Sequence, residues 1–241
     1  MAETNYTMGY SSATTSSHAS RSVHSDAGFL VPHVKPAYRI LDVGCGPGSI
    51  TVGLAALVPK GEVVGVDLSD VVLAQARAAA AQGEANNTSF QQADLLAGLP
   101  FPDDSFDIVF SSQLFPHLPS QETRLQALAE MRRVLRPGGI LATRDAAELH
   151  FYPRSYGPDR LWVGNMTKAL GYGGSGETWL PGGSMPKLLR LAGFAPGQIR
   201  RGCRNHGARW DGATPARQEE RRPAGCGDRR RVPGELEPGG N

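Results

Sequence analysis

An acid and three glycines are spaced so that they could bind a nucleoside-like ligand. Gly44, Gly46 and Gly48 form a G-C-G-P-G turn directly after an apolar run, and Asp42 precedes the first glycine by two residues. Glycine permits the backbone angles of such a turn and the close approach of a ligand. A strand that turns through glycines into a helix presents backbone N–H groups to that ligand. The turn therefore predicts a binding site.

The spacing of the turn discriminates between classes of ligand. The dinucleotide fingerprint is G-x-G-x-x-G, whereas this chain has the shorter G-x-G-x-G with Asp42 beside it. A pyrophosphate would be repelled by the Asp42 carboxylate, and a cationic ligand would be attracted to it. An NAD-dependent oxidoreductase, which shares the strand–glycine–helix start, is disfavoured on this ground and is kept as an alternative.

Two further acids follow predicted strands. Asp67 ends the run 62–67 and stands 23 residues after Gly44, and Asp94 ends a short strand over 88–93. An acid about 20 residues beyond a glycine turn is the expected partner of a ribose diol, and ligands of open α/β sheets bind outside the carboxyl ends of the strands. We therefore expect Asp67 to bind a ribose, whereas Asp94 fits both a ligand contact and a turn.

Alternating strands and helices provide the frame for these residues. A short helical pattern precedes the first strand, and residues 194–200 predict the start of a sixth strand. Alternation of this kind indicates an α/β fold with a doubly wound, mostly parallel sheet flanked by helices, here lacking one or both of its last edge strands. The predicted strands lie at 40–43, 62–67, 88–93, 107–111 and 140–143, and the helices at 50–58, 70–82, 120–136 and 184–193, with Ser49 as the N-cap of the first.

The turn at 42–48 closely resembles the first motif of class I S-adenosylmethionine-dependent methyltransferases. Similar family segments follow at 98–107, before the fourth strand, and at 135–139, before the fifth. The pattern is most similar to small-molecule methyltransferases of the ubiquinone/menaquinone-biosynthesis-like group, and the resemblance is good over roughly residues 37–145. It implies a Rossmann-like fold, S-adenosylmethionine as cofactor, and methyl transfer to O, N or C of a small-molecule acceptor.

The resemblance also implies roles for individual residues. Asp42 would favour the cationic amino group of the cofactor, Asp67 would hold its ribose, and Asp94 would contact the adenine amino group. His117 is the candidate catalytic base, because an imidazole can take a proton from an acceptor near neutral pH; packing or lining the cofactor is its alternative role. The predicted cofactor-binding residues are Asp42, Gly44, Cys45, Gly46, Gly48, Asp67, Leu68, Ala93, Asp94 and Gln113, and no metal ligand is predicted.

Segments at both ends of the fold are expected to enclose the ligands. Residues 1–36 form a cap in which Tyr10 or Arg21 would reach the cofactor carboxylate, with ordinary solvated residues as the alternative. An aromatic-rich stretch at 150–180 would bind the acceptor or simply contribute to the core. The predicted domain limits are therefore 1–36 for the cap, 37–200 for the Rossmann-like methyltransferase domain and 201–241 for a tail.

The composition of residues 197–241 differs from that of the body. This stretch contains ten arginines, nine glycines and four prolines. It cannot bury enough apolar area to offset a chain entropy of roughly 1–2 kcal/mol per residue. We expect a disordered tail that arises from a gene-model error or a frameshift, with an RNA-binding Arg/Gly tail as the alternative. A chain altered in this way leaves a non-catalytic methyltransferase-like protein as a second functional alternative.

Composition also restricts location and partners. The sequence contains no run of 18 apolar residues, so we expect no membrane span. The first residues lack the pattern of a secretory signal. The three cysteines form neither a disulfide framework nor a metal-binding spacing. We expect a cytoplasmic protein. The net charge of +2 comes from the tail, so we expect a small-molecule acceptor and no nucleic acid; the oligomeric state is not predicted.

Overall fold

The computed structural model describes residues 21–118, 120–147, 164–168 and 180–202. The chain divides into two compact units, residues 1–199 and residues 200–241. Only residues 200–202 of the second unit are described. Tyr10, most of the aromatic stretch at 150–180 and nearly all of the predicted tail lie outside the described residues.

Five parallel strands form one sheet in the first unit, in the order β3-β2-β1-β4-β5. The strand order reverses its direction between β1 and β4, which is the point where ligands bind in open α/β sheets. The predicted α/β fold with a doubly wound parallel sheet is confirmed. The strands are β1 (Arg39–Val43), β2 (Glu62–Asp67), β3 (Thr88–Gln92), β4 (Phe106–Ser112) and β5 (Leu135–Arg144).

Helices connect the strands and cover the sheet. The best predicted of them, α3, runs from Asp70 to Gln82, with the Ser69 hydroxyl accepting from the Val72 N–H and Gly83 at the C-cap. Hydroxyl caps of this type satisfy a backbone N–H that has no partner within the helix. The helices are α1 (Val23–Asp26), α2 (Ser49–Ala55), α3 (Asp70–Gln82), α4 (Gln121–Arg133) and α5 (Met185–Leu191), and residues 164–168 form a further helical turn.

Side chains of the central strand β4 alternate between two hydrophobic clusters. Val109 packs in a cluster with α4 and α5, whereas Ile108 and Phe110 pack in a cluster with α1 and α2. The period of two follows from strand geometry. Because both faces are covered, β4 is buried along almost its whole length, as expected for a parallel sheet.

Two local predictions differ from the structure at the turns. The N-cap of α2 is Gly48 rather than Ser49, because Gly48 adopts a left-handed φ of +81° and Ser49 is already helical. Strand β5 begins at Leu135, so the predicted glycine turn at 135–139 lies inside the strand as an irregularity in its register with β4. Gly138, with φ of +78°, permits this local bend.

The predicted sixth strand at 194–200 is wrong. Residues Pro196–Gln198 form a 3₁₀ turn, and no strand occurs within the described stretch 180–202. Pro196 has no N–H to donate to a strand ladder, and the side chain of Gln198 accepts the N–H of Ala195 at 3.0 Å instead. In the part of the chain that the structure describes, no helix has both the length and the apolar character needed to cross a membrane.

Candidate functional site

The glycine turn leads from β1 into α2 and is fixed to β2. The N–H groups of Gly44 and Cys45 both donate to the Val66 carbonyl, at 2.8 and 3.0 Å. Gly44, Gly46 and Gly48 all have positive φ angles, of +72°, +55° and +81°. No atom of the described residues lies within 4 Å of the position that a Cβ of Gly46 would take. The turn is therefore open on that side, with room for a ligand against the backbone.

Asp42 lies beneath this turn at the end of β1. Its side chain is 2% exposed, and its Oδ2 accepts a hydrogen bond from Thr51 Oγ1 in α2 at 2.6 Å. Burial raises the pKa of Asp42 to about 7, with a smaller contribution from the nearby Asp67, while the Thr51 bond acts in the opposite direction. A cation placed beside Asp42 would favour its ionised form, so the site suits a positively charged group.

Asp67 connects the end of β2 with the turn. Its Oδ2 accepts from the Gly46 N–H at 3.0 Å, and its Oδ1 accepts from the Ser69 N–H at 3.1 Å. Burial raises the pKa of Asp67, and these hydrogen bonds partly offset the effect. A carboxylate offers about four lone-pair sites. Asp67 can therefore hold the turn and still accept hydroxyl donors such as those of a ribose.

A cleft opens beside the turn at the carboxyl end of the sheet. Arg21 and Asp42 both line it, so a residue that carries a guanidinium and one that carries a carboxyl group border the same space. That pair is complementary to the carboxylate and the ammonium of an amino-acid group. The full lining consists of Arg21, Asp42, Gly44, Cys45, Pro47, Ser49, Ile50 and Ser112.

Three further predicted cofactor-binding residues, Leu68, Ala93 and Asp94, lie at the ends of β2 and β3, apart from that lining. Leu68 is 44% exposed, and the N–H of Ala93 donates to the Asp67 carbonyl at 3.1 Å. Asp94 is exposed, and its Oδ1 accepts the Leu96 N–H at 2.8 Å. This hydrogen bond supports the alternative role of Asp94 as a turn residue. The contact of Asp94 with adenine stays a prediction.

Gln113 and His117 follow the end of β4. Gln113 has a φ of +56°, which is rare for a residue with a side chain, and its N–H donates to the Arg144 carbonyl at 2.8 Å. His117 is half-buried at the end of a 3₁₀ turn, Phe115–His117. Neither residue lines the cleft beside the glycine turn. The general-base role of His117 stays a prediction.

Two polar residues at strand ends escaped the sequence analysis. Ser112 lines the cleft, and its buried Oγ has no hydrogen-bond partner among the described residues. Asp145, which follows β5, has one oxygen bound to the Phe115 N–H at 3.2 Å and the other buried without a partner in the same part of the chain. Both could have been found from position, because each stands at the carboxyl end of a strand, as Asp67 does.

Comparisons with known proteins agree with this geometry. The methyltransferase domain family model matches residues 40–139. A protein of Aspergillus luteorubrus named probable methyltransferase ltbC is 46% identical over 195 residues, which cover 79% of this chain and 68% of the relative. The ubiquinone/menaquinone biosynthesis C-methyltransferase UbiE of Ectopseudomonas mendocina is 41% identical over 110 residues, 45% of this chain and 41% of that protein. The chain thus spans less than half of this second relative.

A solved structure shows the same fold. The crystal structure of a SAM-dependent methyltransferase from Aquifex aeolicus superposes with a TM-score of 0.51 at 21% identity, over 68% of this chain and 89% of that one. The chain belongs to the class I S-adenosylmethionine-dependent methyltransferases, whose methyl donor is S-adenosylmethionine.

Proposed function

We propose that this chain transfers the methyl group of S-adenosylmethionine to a small-molecule acceptor, with the predicted site residues in the roles given above. The observation that carries the proposal is the cleft beside the open turn, which both Arg21 and Asp42 line. Arg21 would bind the carboxylate of the cofactor, and Asp42 its ammonium group. Asp67 would accept the ribose hydroxyls, with Leu68, Ala93 and Asp94 along the adenine.

The chemistry of the transfer places modest demands on the protein. S-adenosylmethionine supplies an activated methyl group on a sulfonium, so the chain has to align donor and acceptor and exclude water. Alignment contributes on the order of 7–11 kcal/mol in well-oriented systems. In this protein the post-β4 segment, residues 113–118, lies at the carboxyl end of the sheet next to the end of β5, where an acceptor would meet the cofactor. His117 is the proposed base for an acceptor that must lose a proton.

A small-molecule acceptor fits better than a macromolecule. The UbiE relative acts, by its name, in ubiquinone and menaquinone biosynthesis. The excess of basic residues in this chain falls in residues 197–241, so the body has no excess positive charge that would attract a nucleic acid. We propose a cytoplasmic location, which agrees with the free thiol of the buried Cys45; fractionation of cells that express a tagged chain tests it.

The domain organisation belongs to the same proposal. Residues 1–36 would act as the cap, 37–200 as the methyltransferase domain, and 201–241 as a tail without a part in the reaction. Deletion of residues 201–241 should leave the affinity for the cofactor within about twofold of the full chain. A folded deletion variant that has lost cofactor binding would contradict these limits.

Calorimetric titration tests the cofactor site directly. S-adenosylmethionine and then S-adenosylhomocysteine are titrated into the purified full chain, with Asp67→Ala as the site variant and Glu62→Gln as the control at the other end of the same strand. We expect micromolar affinity that falls about 10- to 100-fold in Asp67→Ala, as for the loss of a charge-assisted hydrogen bond. Glu62→Gln should bind as the parent does.

The other outcomes separate the alternatives. Absence of binding by a folded parent chain would support the non-catalytic alternative. Binding of S-adenosylmethionine by the parent chain without methyl transfer to any of a panel of phenols, quinols and carboxylic acids would separate binding from turnover.

A further inference from the structure

The ends of β4 and β5 are joined by hydrogen bonds that involve residues just beyond both strands. The N–H of Gln113 donates to the Arg144 carbonyl at 2.8 Å. The N–H of Phe115 donates to Asp145 Oδ1 at 3.2 Å, and the N–H of Ala146 donates to Gln113 Oε1 at 3.4 Å. The segment that follows β4 is thus held by the segment that follows β5.

The segment held in this way is strained at Gln113. Its φ of +56° lies in the left-handed region, which costs on the order of 1 kcal/mol or more for a residue with a Cβ. Such conformations persist only where surrounding contacts fix them, and they cluster at functional sites. Ser112, the residue directly before Gln113, lines the cleft. The bonds from residues 144–146 therefore fix the backbone at one wall of the cleft.

Among the hydrogen bonds given above, Asp145 is the one residue after β5 that takes part through its side chain. This contribution has a free-energy cost. Its Oδ2 is buried and has no hydrogen-bond partner within the described residues. A buried polar atom without a partner costs about 1–3 kcal/mol. An apolar side chain would avoid that cost but would leave the Phe115 N–H unpaired. The carboxyl group is therefore explained by what Oδ1 does for Phe115.

The strength of this bond depends on pH, because Asp145 itself titrates near neutral pH. Burial raises the pKa of Asp145 to about 7, while the positive charges of Arg144 beside it and Arg124 in α4 act in the opposite direction. Arg144 is itself paired with Asp26 of α1, at 3.2 Å. An ionised carboxylate accepts the Phe115 N–H more strongly than a protonated one does.

We propose that Asp145 is a positioning residue which, by holding the backbone of Phe115, keeps Ser112 and Gln113 in the conformation that receives the cofactor. The proposal rests on the proposed function and adds a residue to it. Asp145 acts through the post-β4 segment and has no assigned contact with the cofactor.

Three variants test the proposal. Asp145→Asn keeps an oxygen that can accept the Phe115 N–H, whereas Asp145→Leu has a similar volume and removes the acceptor. Ser105→Ala is the control, because it removes a buried polar group elsewhere, the hydroxyl that donates to the Pro102 carbonyl at 2.7 Å before β4. The readouts are the dissociation constant of S-adenosylhomocysteine by calorimetry and the exchange protection of the Phe115 amide by NMR.

The expected result is a separation of the Asn and Leu variants. Asp145→Leu should weaken the binding of S-adenosylhomocysteine at least tenfold and lose the exchange protection of the Phe115 amide. Asp145→Asn should keep both within about threefold, and Ser105→Ala should keep both even with a lower Tm. Asp145→Leu that binds like the parent chain, or Ser105→Ala that weakens binding equally, overturns the proposal. Asp145→Ala replaces the Leu variant if that variant does not fold.

A pH series provides a second readout that a purely structural role would not change. Between pH 6 and 8.5 the affinity of the parent chain for S-adenosylhomocysteine should rise as Asp145 ionises, together with a contribution from Asp42, whose pKa is also about 7. Asp145→Asn should retain only the contribution of Asp42, so the rise becomes smaller. An unchanged rise contradicts the proposal.

Failure of this proposal and failure of the proposed function give different results. A parent chain that binds no S-adenosylhomocysteine contradicts the proposed function. A parent chain that binds it, together with an Asp145→Leu variant that binds it equally well, contradicts only the role of Asp145.

Discussion

The two ends of the same sheet treat their charged residues in opposite ways. At the amino end, charges are paired and partly exposed: Arg39 pairs with Glu62, and Arg136 pairs with Asp107 at 2.9 Å. At the carboxyl end, Asp42 is buried with a pKa of about 7, and it accepts a hydrogen bond from the neutral hydroxyl of Thr51. The partly exposed ion pairs at the amino end cost the fold little, whereas the buried acid at the carboxyl end costs stability.

The cost at the carboxyl end has the sign expected for a binding site. A carboxyl group whose pKa is raised on folding lowers the stability of the fold at pH values at which the group is ionised. A ligand that brings a positive charge removes that cost, so part of the binding energy comes from a group that is unfavourable in the free protein. Stability at one end of the sheet and function at the other are thus separable by mutation.

The largest expected effect is that of Asp42→Asn. Because the folded pKa of about 7 exceeds the ordinary 3.8, the contribution of Asp42 to stability is full below about pH 4 and is lost as pH rises to about 7. At pH 8 the loss is on the order of 4 kcal/mol, at 1.36 kcal/mol per pKa unit. Asp42→Asn should therefore raise the free energy of unfolding at pH 8 and weaken the binding of S-adenosylmethionine.

Urea unfolding at pH 5 and pH 8, with calorimetry at pH 8, measures this effect. Asp107→Asn is the matched control from the amino end, where the substitution removes an ion-pair partner of Arg136. It should give no gain in stability at pH 8 and leave the cofactor affinity unchanged. A destabilised Asp42→Asn at pH 8 would contradict the account of the buried acid.

A pair of glycines gives the next largest contrast. Gly48 and Gly138 have similar φ angles, +81° and +78°, but an added Cβ would lie 2.8 Å from Ala76 Cβ at Gly48 and would have nothing within 4 Å among the described residues at Gly138. Gly48→Ala should cost about 3 kcal/mol, from backbone strain plus overpacking, and Gly138→Ala about 1 kcal/mol from strain alone. Only Gly48→Ala should weaken the binding of the cofactor.

Thermal and urea unfolding of both variants, each followed by titration with S-adenosylhomocysteine, test this contrast. Equal losses of stability would show that the Ala76 contact relaxes at little cost. Weakened binding in Gly138→Ala would contradict the assignment of the site to the carboxyl end.

The smallest expected effect concerns Arg133, at the end of α4. Its guanidinium pairs with Glu130 and Asp103, at 2.6 and 2.7 Å, and donates to the carbonyls of Leu99 and Phe101. It lowers the pKa of Glu130. Because the ion pairs are partly exposed, they add little, and Arg133→Met should cost about 1–2 kcal/mol, mainly from the two carbonyl bonds.

Urea unfolding measures the loss in Arg133→Met, and calorimetry should show an unchanged affinity for S-adenosylhomocysteine. A tenfold weaker affinity in a folded Arg133→Met would mean that the two ends of the sheet are coupled. Arg39→Met, which removes the ion pair with Glu62 at the amino end, is the matched control, and it should also leave the affinity for S-adenosylhomocysteine unchanged.

Sequence reasoning succeeded where one local rule decides the outcome. The bounds of α3 follow from the cap residues Ser69 and Gly83, and the place of Asp67 follows from the strand before it. It failed where two rules compete. Ser49 is a good cap by type, but the left-handed Gly48 ends the turn one residue earlier.

Other features depend on contacts between distant parts of the chain. Asp145 could be recognised as an acid at a strand end, but its bond to Phe115, 30 residues away, requires the pairing of β4 with β5. The pKa of Asp42 likewise depends on burial by α2 and cannot be obtained from its neighbours in sequence. Position predicts which residues gather at an edge, whereas their electrostatics require the packing.

The assignment of the cofactor to the carboxyl end is tested most directly by NMR on the full chain. Backbone amide signals of Gly44, Gly46 and Gly48 are followed together with those of Gly61 and Gly138 at the amino end while S-adenosylhomocysteine is added. The account predicts that the first three shift and saturate with one dissociation constant, and that the other two do not move. Shifts confined to Gly61 or Gly138, or saturable binding without a change at the turn, would contradict it.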